Sequence, residues 1–168
     1  MTPTAAASSP EAAAASPQLT PQQQATEAGP APEQRFDRYY PLYRGDYGYV
    51  VSALQGLLDA GGVRTYLDGD FGSATERSVR QWQAQQGLSV TGVVDDTTWE
   101  TLTPQLELGS SGAAVTVLQT LLAERGYDIV VDGEFAEQTD AVVRQFQAER
   151  GLTVDGVVAQ ESWPALLA

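Results

Sequence analysis

Two carboxylate pairs in this chain have the make-up of hydrolytic machinery. Asp68 and Asp70 flank Gly69, and Asp95 adjoins Asp96. Cleavage of a glycosidic bond needs two carboxyl groups, one on each side of it. Each pair also has a plainer reading. Asp68 precedes a glycine, as turn aspartates do, and Asp95-Asp96 stand where a helix cap belongs. Asp68-Gly69-Asp70 also opens like a calcium loop, but the later ligands do not follow. The chain has no histidine and no cysteine. Zinc therefore lacks its usual nitrogen and sulfur ligands, and a serine nucleophile lacks its base. These residues predict a protein that is not an enzyme and holds no metal and no cofactor.

Binding chemistry has better candidates. Arg80 and Arg144 each present a guanidinium, which can grip a carboxylate with two hydrogen bonds. Glu76 and Asp140 stand four residues before them, the spacing of an intrahelical ion pair, so both readings stand. Trp82, Phe146, Trp99 and Trp163 fall at apolar helical positions and read as core. Tyr47, Tyr49, Tyr66 and Tyr127 do not recur as a core stripe. They are candidate stacking platforms for sugar rings, although surface or loop-packing tyrosines would look the same. Asp70 joins them as a candidate polar contact. Tyr39, Tyr40 and Tyr43 are expected to pack against the start of the folded region.

These residues sit on a sequence written twice. Residues 42–104 return, without a gap, as 106–168. Leu54-Gln55-x-Leu57-Leu58 returns as Leu118-Gln119-x-Leu121-Leu122, and Asp68-Gly69-x-Phe71 as Asp132-Gly133-x-Phe135. Arg80-Gln81-Trp82-Gln83-Ala84 returns as Arg144-Gln145-Phe146-Gln147-Ala148, and Gly92-Val93-Val94 with Trp99 as Gly156-Val157-Val158 with Trp163. A period of this length marks a repeated structural unit.

Within each copy the apolar residues have helical spacing. Val51, Leu54, Leu57 and Leu58 form one stripe, as do Val115, Leu118, Leu121 and Leu122. Gly62 and Gly126 should end these helices in left-handed geometry. Gly61 has no counterpart and reads as replaceable. Ser73-x-x-Glu76 has the form of a capping box opening a second helix. That helix buries Thr75, Val79 and Trp82 and stops at Gly87. Gly69 and Gly133 are kept in both copies and should need positive φ, whereas Gly72 is replaced by Ala136 and should not. A short third helix carries Trp99 and Leu102. In the second copy Pro164 requires that helix to begin near Glu161. Leu102 and Leu106 leave almost no linker, so the two units should touch.

The chain of 168 residues carries 22 acidic and 9 basic residues, a net charge of −13. That balance disfavours nucleic acid and anionic membrane surfaces as partners. Residues 1–35 are rich in Ala, Pro, Ser, Thr and Gln and should be disordered. They lack the basic start and apolar stretch of a signal peptide. Their composition is that of spacers in exported proteins, which predicts a secreted or wall-associated chain.

Taken in order, Leu-Gln-x-Leu-Leu, Asp-Gly-x-Phe, [Trp/Phe]-Gln, Gly-Leu, Gly-Val-Val and Trp-x-x-Leu resemble the peptidoglycan-binding domain of the type 1 family. This is a small three-helix module attached to many bacterial wall hydrolases. The resemblance covers residues 42–167. It departs at Ala136, at Thr91 against Asp155, and in lacking the Gly-Pro that often opens the third helix. It implies an all-α fold with two tandem three-helix repeats, 36–104 and 105–168, behind the tail 1–35. The implied function is non-catalytic binding of bacterial peptidoglycan by a monomer. The candidate ligand residues are Tyr47, Tyr49, Tyr66, Asp70, Arg80, Tyr127 and Arg144. Both copies keep the framework, so both are expected to bind. Two alternatives stand beside this: a protein-interaction or pro-domain module, and the wall-targeting part of a hydrolase whose catalytic domain lies elsewhere.

Overall fold

Among the described residues, six helices in two sets of three follow the doubled sequence. The computed structural model describes residues 39–168, and the reading of residues 1–35 as a disordered tail lies outside them. The first repeat contributes α1 (Tyr49–Ala60), α2 (Ser73–Gln85) and α3 (Asp96–Leu102). The second contributes α4 (Ala113–Glu124), α5 (Glu137–Glu149) and α6 (Ser162–Leu167). Among the described residues there are isolated β-bridges but no strands. Leu42 pairs with Val94 and Tyr47 with Asp70, and Leu106 with Val158 and Ser111 with Glu134 repeat the pattern. The all-α tandem expected from the sequence is the fold.

The apolar stripes are the core. Val51, Leu54, Leu57, Leu58, Val79, Trp82 and Trp99 are buried in the first repeat, and Val115, Leu118, Leu121, Leu122, Val143, Phe146 and Trp163 in the second. Each third-helix tryptophan also ties down the chain leading into its repeat. Trp99 Nε1 donates to the Tyr40 carbonyl at 3.1 Å, and Trp163 Nε1 to the Pro104 carbonyl at 2.7 Å. Tyr39 stacks on Trp99 with ring centroids 5.7 Å apart. Tyr40 and Tyr43 do not share that role. They are exposed, because it is the backbone at Tyr40, and not its ring, that Trp99 holds.

Four buried glutamines organise the loops. Gln55 Nε2 donates to Asp68 Oδ1 at 2.8 Å, to the Asp70 carbonyl at 3.0 Å and to Thr75 Oγ1 at 3.0 Å. Its Oε1 accepts from the Gly69 N–H at 2.9 Å. Gln119 does the same to Asp132, Glu134, Thr139 and Gly133. Gln83 on α2 repeats the arrangement one loop later, with Thr91, the Val93 carbonyl, Thr98 and the Gly92 N–H. Gln147 takes Asp155, Val157, Ser162 and Gly156. A buried amide is stable only with its donors and acceptor satisfied, so each glutamine fixes the path of the loop opposite it. The three aspartates bonded to these glutamines, Asp68, Asp132 and Asp155, are held below the usual aspartate range. For Asp68 and Asp132 the main cause is the backbone N–H two residues on, with the glutamine amide second. Asp155 is lowered in the same way by Val157 and Gln147.

Helix ends follow the glycines. Gly62 and Gly126 have φ of 86° and 88°, and Gly69 and Gly133 have 69° and 77°. Gly72 has an ordinary φ of −82°. Asp95 caps α3, accepting from the Thr98 N–H at 2.9 Å and its hydroxyl at 2.6 Å. α6 starts at Ser162, which puts Pro164 in the first turn. Two expectations fail. Ser73 is not a cap: the helix already includes it, Gly72 is the N-cap residue, and no side chain caps that end. Glu76 turns instead to Arg80, at 3.0 Å. Nor is Gly61 freely replaceable, because a Cβ there would run into the Trp82 ring. The second repeat has Arg125 at this position and the smaller Phe146 where the first has Trp82.

The repeats pack through their first helices, α1 along α4. Gly56 allows the approach, since a Cβ on it would lie 2.5 Å from Val117 Cγ2. The short linker has the consequence expected of it.

Three outcomes follow from this architecture. Gln119→Leu keeps the side-chain volume but strands the Asp132 and Gly133 N–H groups and removes a donor from Asp132, the Glu134 carbonyl and Thr139. Denaturant unfolding should show a loss of about 2–5 kcal/mol. Gly61→Arg should destabilise by about 1–3 kcal/mol through overpacking. Trp82→Phe added to it should recover part of that loss, and a double-mutant cycle measures the coupling. For pH, the lowered aspartates contribute stability above the unfolded carboxylate pKa, near 3.9. That contribution is lost as pH falls through their lower folded values. Thermal melts should therefore hold from neutrality to about pH 4 and decline below it.

Candidate functional site

The loop leading into α1 is pinned at both of its edges. Leu42 and Val94 exchange backbone hydrogen bonds of 3.0 and 2.8 Å. The Gly45 N–H reaches the Phe71 carbonyl, the Phe71 N–H reaches Asp46, and the Gly48 N–H reaches Gly69, all within 3.0 Å. Gly45 and Gly48 supply the left-handed geometry, with φ of 104° and 112°. Asp46 closes the turn by accepting the Tyr43 N–H at 2.8 Å. The loop's backbone is thus held along both edges while these aromatic side chains are exposed.

Four of them converge. Tyr40, Tyr43, Tyr47 and Tyr49 line an open depression of about 480 Å³, with Leu167 and Ala168 of the second repeat on its margin. Tyr47 is 85% exposed and Tyr40 69%. Tyr49, at the first position of α1, bridges the repeats. Its hydroxyl donates to the Ala168 carbonyl at 3.1 Å, and the Arg125 guanidinium lies 5.4 Å from its ring centroid. Sequence reading picked out Tyr47 and Tyr49 for this face and missed Tyr40 and Tyr43. The signal was present: all four tyrosines have non-aromatic counterparts, Pro104, Glu107, Ser111 and Ala113.

The remaining candidates lie elsewhere or are committed to structure. Asp70 forms the backbone bridge with Tyr47, and its carbonyl accepts from Gln55 and Thr75. Tyr66 is exposed but does not line the depression. Tyr127 packs edge-on against Phe146 at 6.2 Å, and its hydroxyl donates to Glu149 at 2.5 Å. Burial first, and that bond second, push its phenol up to about 12. Arg80 holds Glu76 at 3.0 Å and donates to the Val90 carbonyl at 2.9 Å. Arg144 holds Asp140 at 2.8 Å. Each guanidinium lies over a loop glycine, Gly92 or Gly156, within 3 Å of where a Cβ would stand. This accounts for the retention of both arginines and both glycines in the two copies.

The carboxylate pairs considered for hydrolysis hold loops and caps. Asp68 binds Gln55, and Asp95 caps α3. Asp96 accepts the Tyr39 N–H at 3.0 Å. Among the described residues, no group of three or more His, Cys, Asp or Glu is placed to hold a metal ion. No helix among them is long and apolar enough to cross a membrane.

Comparison with known proteins fits this architecture. A family model described as "Putative peptidoglycan binding domain" matches twice, over residues 48–102 and 111–166. The N-acetylmuramoyl-L-alanine amidase CwlM of Mycobacterium tuberculosis is 28% identical over 146 residues, which cover 73% of this chain and 36% of that protein. A probable N-acetylmuramoyl-L-alanine amidase of Bacillus licheniformis is 28% identical over 138 residues, 76% of this chain and 37% of its own. The match thus spans little more than a third of either relative. The solved structure of a peptidoglycan-binding protein from Clostridioides difficile, in complex with glutamine hydroxamate, shares 33% identity over 38% of this chain and 40% of its own, with a TM-score of 0.37. The two segments matched by the family model take up most of both repeats, and the chain belongs to this peptidoglycan-binding domain family.

Proposed function

We propose that the chain binds bacterial cell-wall peptidoglycan without cleaving it, as a monomer outside the cytoplasm. The observation that carries this reading is the double family match over the two folded repeats. Its net charge of −13 argues against attraction to nucleic acid or anionic lipid. It also means that bulk charge is not what draws the chain to a wall. Hydrogen bonds and aromatic faces remain as the source of affinity.

One further reading has an observation of its own. Two relatives are amidases by name and extend well beyond the matched region. That favours this chain as the wall-targeting part of a hydrolytic system over a protein-interaction or pro-domain module. Here too its own role is attachment.

Sedimentation with purified sacculi tests the proposal. The chain should pellet with them, and raising the salt from 0.1 to about 0.5 M should leave most of it bound, because screening acts on long-range charge. Soluble muropeptides and reducing ends should not accumulate on prolonged incubation. Failure to pellet with sacculi from several bacteria would sink the binding proposal, and reproducible release would overturn the claim of no cleavage.

A further inference from the structure

Resting on the wall-binding reading, we propose that the chain has one ligand site and not two. The site is the tyrosine-lined depression at the head of α1, and its ligand is the uncharged glycan strand, not the carboxylate-bearing stem peptides.

Tyr40, Tyr43, Tyr47 and Tyr49 expose their rings into one depression. Tyrosine supplies a large, rigid face with few side-chain torsions to freeze and a hydroxyl for hydrogen bonding. The volume of about 480 Å³ falls within the range of roughly 300–1,000 Å³ typical of small-molecule sites. Backbone bonds from Leu42, Gly45 and Gly48 fix the loop in advance, so little ordering entropy is lost on binding.

The second repeat is an internal control. Its loop keeps the same bonds, from Leu106 to Val158, Gly109 to Phe135 and Gly112 to Gly133. Yet it carries Pro104, Glu107, Ser111 and Ala113 where the first repeat has tyrosines. The scaffold therefore does not need those rings, and exposing four of them together is not a requirement of folding. The second repeat acts on the site as a wall. Leu167 and Ala168 border the depression, and Ala168 and Arg125 hold Tyr49.

Charge selects among wall components. Asp46 is the one carboxylate lining the depression, and no cationic side chain lines it. A stem-peptide carboxylate would meet like charge there. The nearby arginines are engaged, Arg125 with the Ala168 carbonyl and the Tyr49 ring, and Arg44 and Arg80 both with Glu76. Neutral pyranose faces fit four aromatic rings with their hydroxyls and the Asp46 carboxylate.

The experiment uses the full chain. Tyr43→Ala/Tyr47→Ala removes two exposed rings, and Glu107→Ala/Ser111→Ala changes the equivalent positions of the second repeat. Both variants should melt like the parent. Binding is measured to intact sacculi and to glycan strands stripped of stem peptides by amidase digestion. The tyrosine variant should lose at least about tenfold in affinity for both materials, and the second-repeat variant should match the parent. Failure of the parent to bind sacculi would remove the wall-binding reading itself. A parent that binds, with a tyrosine variant that binds equally well, overturns the site. Binding to intact sacculi but not to stripped strands overturns the ligand class. Loss of affinity in the second-repeat variant overturns the single site. Concentration-dependent dimerisation of the parent, abolished in the tyrosine variant, would assign the face to a second copy of the chain instead.

Discussion

A buried primary amide must have its hydrogen bonds made, and four glutamines impose that requirement on this fold. Gln55, Gln83, Gln119 and Gln147 are each within 1% of complete burial. Each can satisfy its donors and acceptor only if a loop presents, in order, a polar side chain, a glycine N–H, a carbonyl and a hydroxyl at the start of the next helix. The first amide of each repeat selects the Asp-Gly-x-Phe loop, and the second selects the loop through Gly-Val-Val. Leaving any of these groups unpaired in a low-dielectric interior costs more than the bond gains when made. Long irregular loops in so small a unit thereby acquire one conformation without a disulfide.

Everything outside the core is hung on those loops. Once Gln55 fixes Gly69 and Asp70, the edge Gly48–Gly69 and Tyr47–Asp70 can form. Once Gln83 fixes Gly92 and Val93, Val94 can pair with Leu42. The segment between these two edges is the one that displays the tyrosines. The exposed tyrosines are thus positioned by polar satisfaction inside.

Duplication has separated scaffold from surface. Most core residues, the positive-φ glycines and the buried glutamines agree between the copies, because each is fixed by geometry that both need. Tyr40, Tyr43, Tyr47, Tyr49 and Tyr66 do not recur, because nothing in the fold requires them. Core partners have also changed together. A Cβ at Gly61 would meet the Trp82 ring, and the second repeat, with Arg125 at that position, has Phe146 in place of Trp82.

The sequence by itself determined the helices, the repeat and the core. These depend on local spacing: apolar stripes with helical period, glycines at helix ends, and tryptophans at fixed positions in both copies. It also identified Arg80 and Arg144 with their i−4 partners, since that pairing is set by the helix alone. The tertiary structure decided what depends on contacts remote in sequence. The glutamines read only as part of a motif until the loops closed on them. Gly61 read as replaceable until Trp82, from another helix, came to lie over it. Ser73 read as a cap until the helix was seen to start one residue earlier. Tyr40 and Tyr43 read as packing residues until Trp99 bonded to the backbone beneath Tyr40 and left both rings exposed. Tyr49 and Ala168 meet only because Gly56 lets α1 lie against α4. Periodicity specifies which face of a helix is buried, but only packing decides what that face meets.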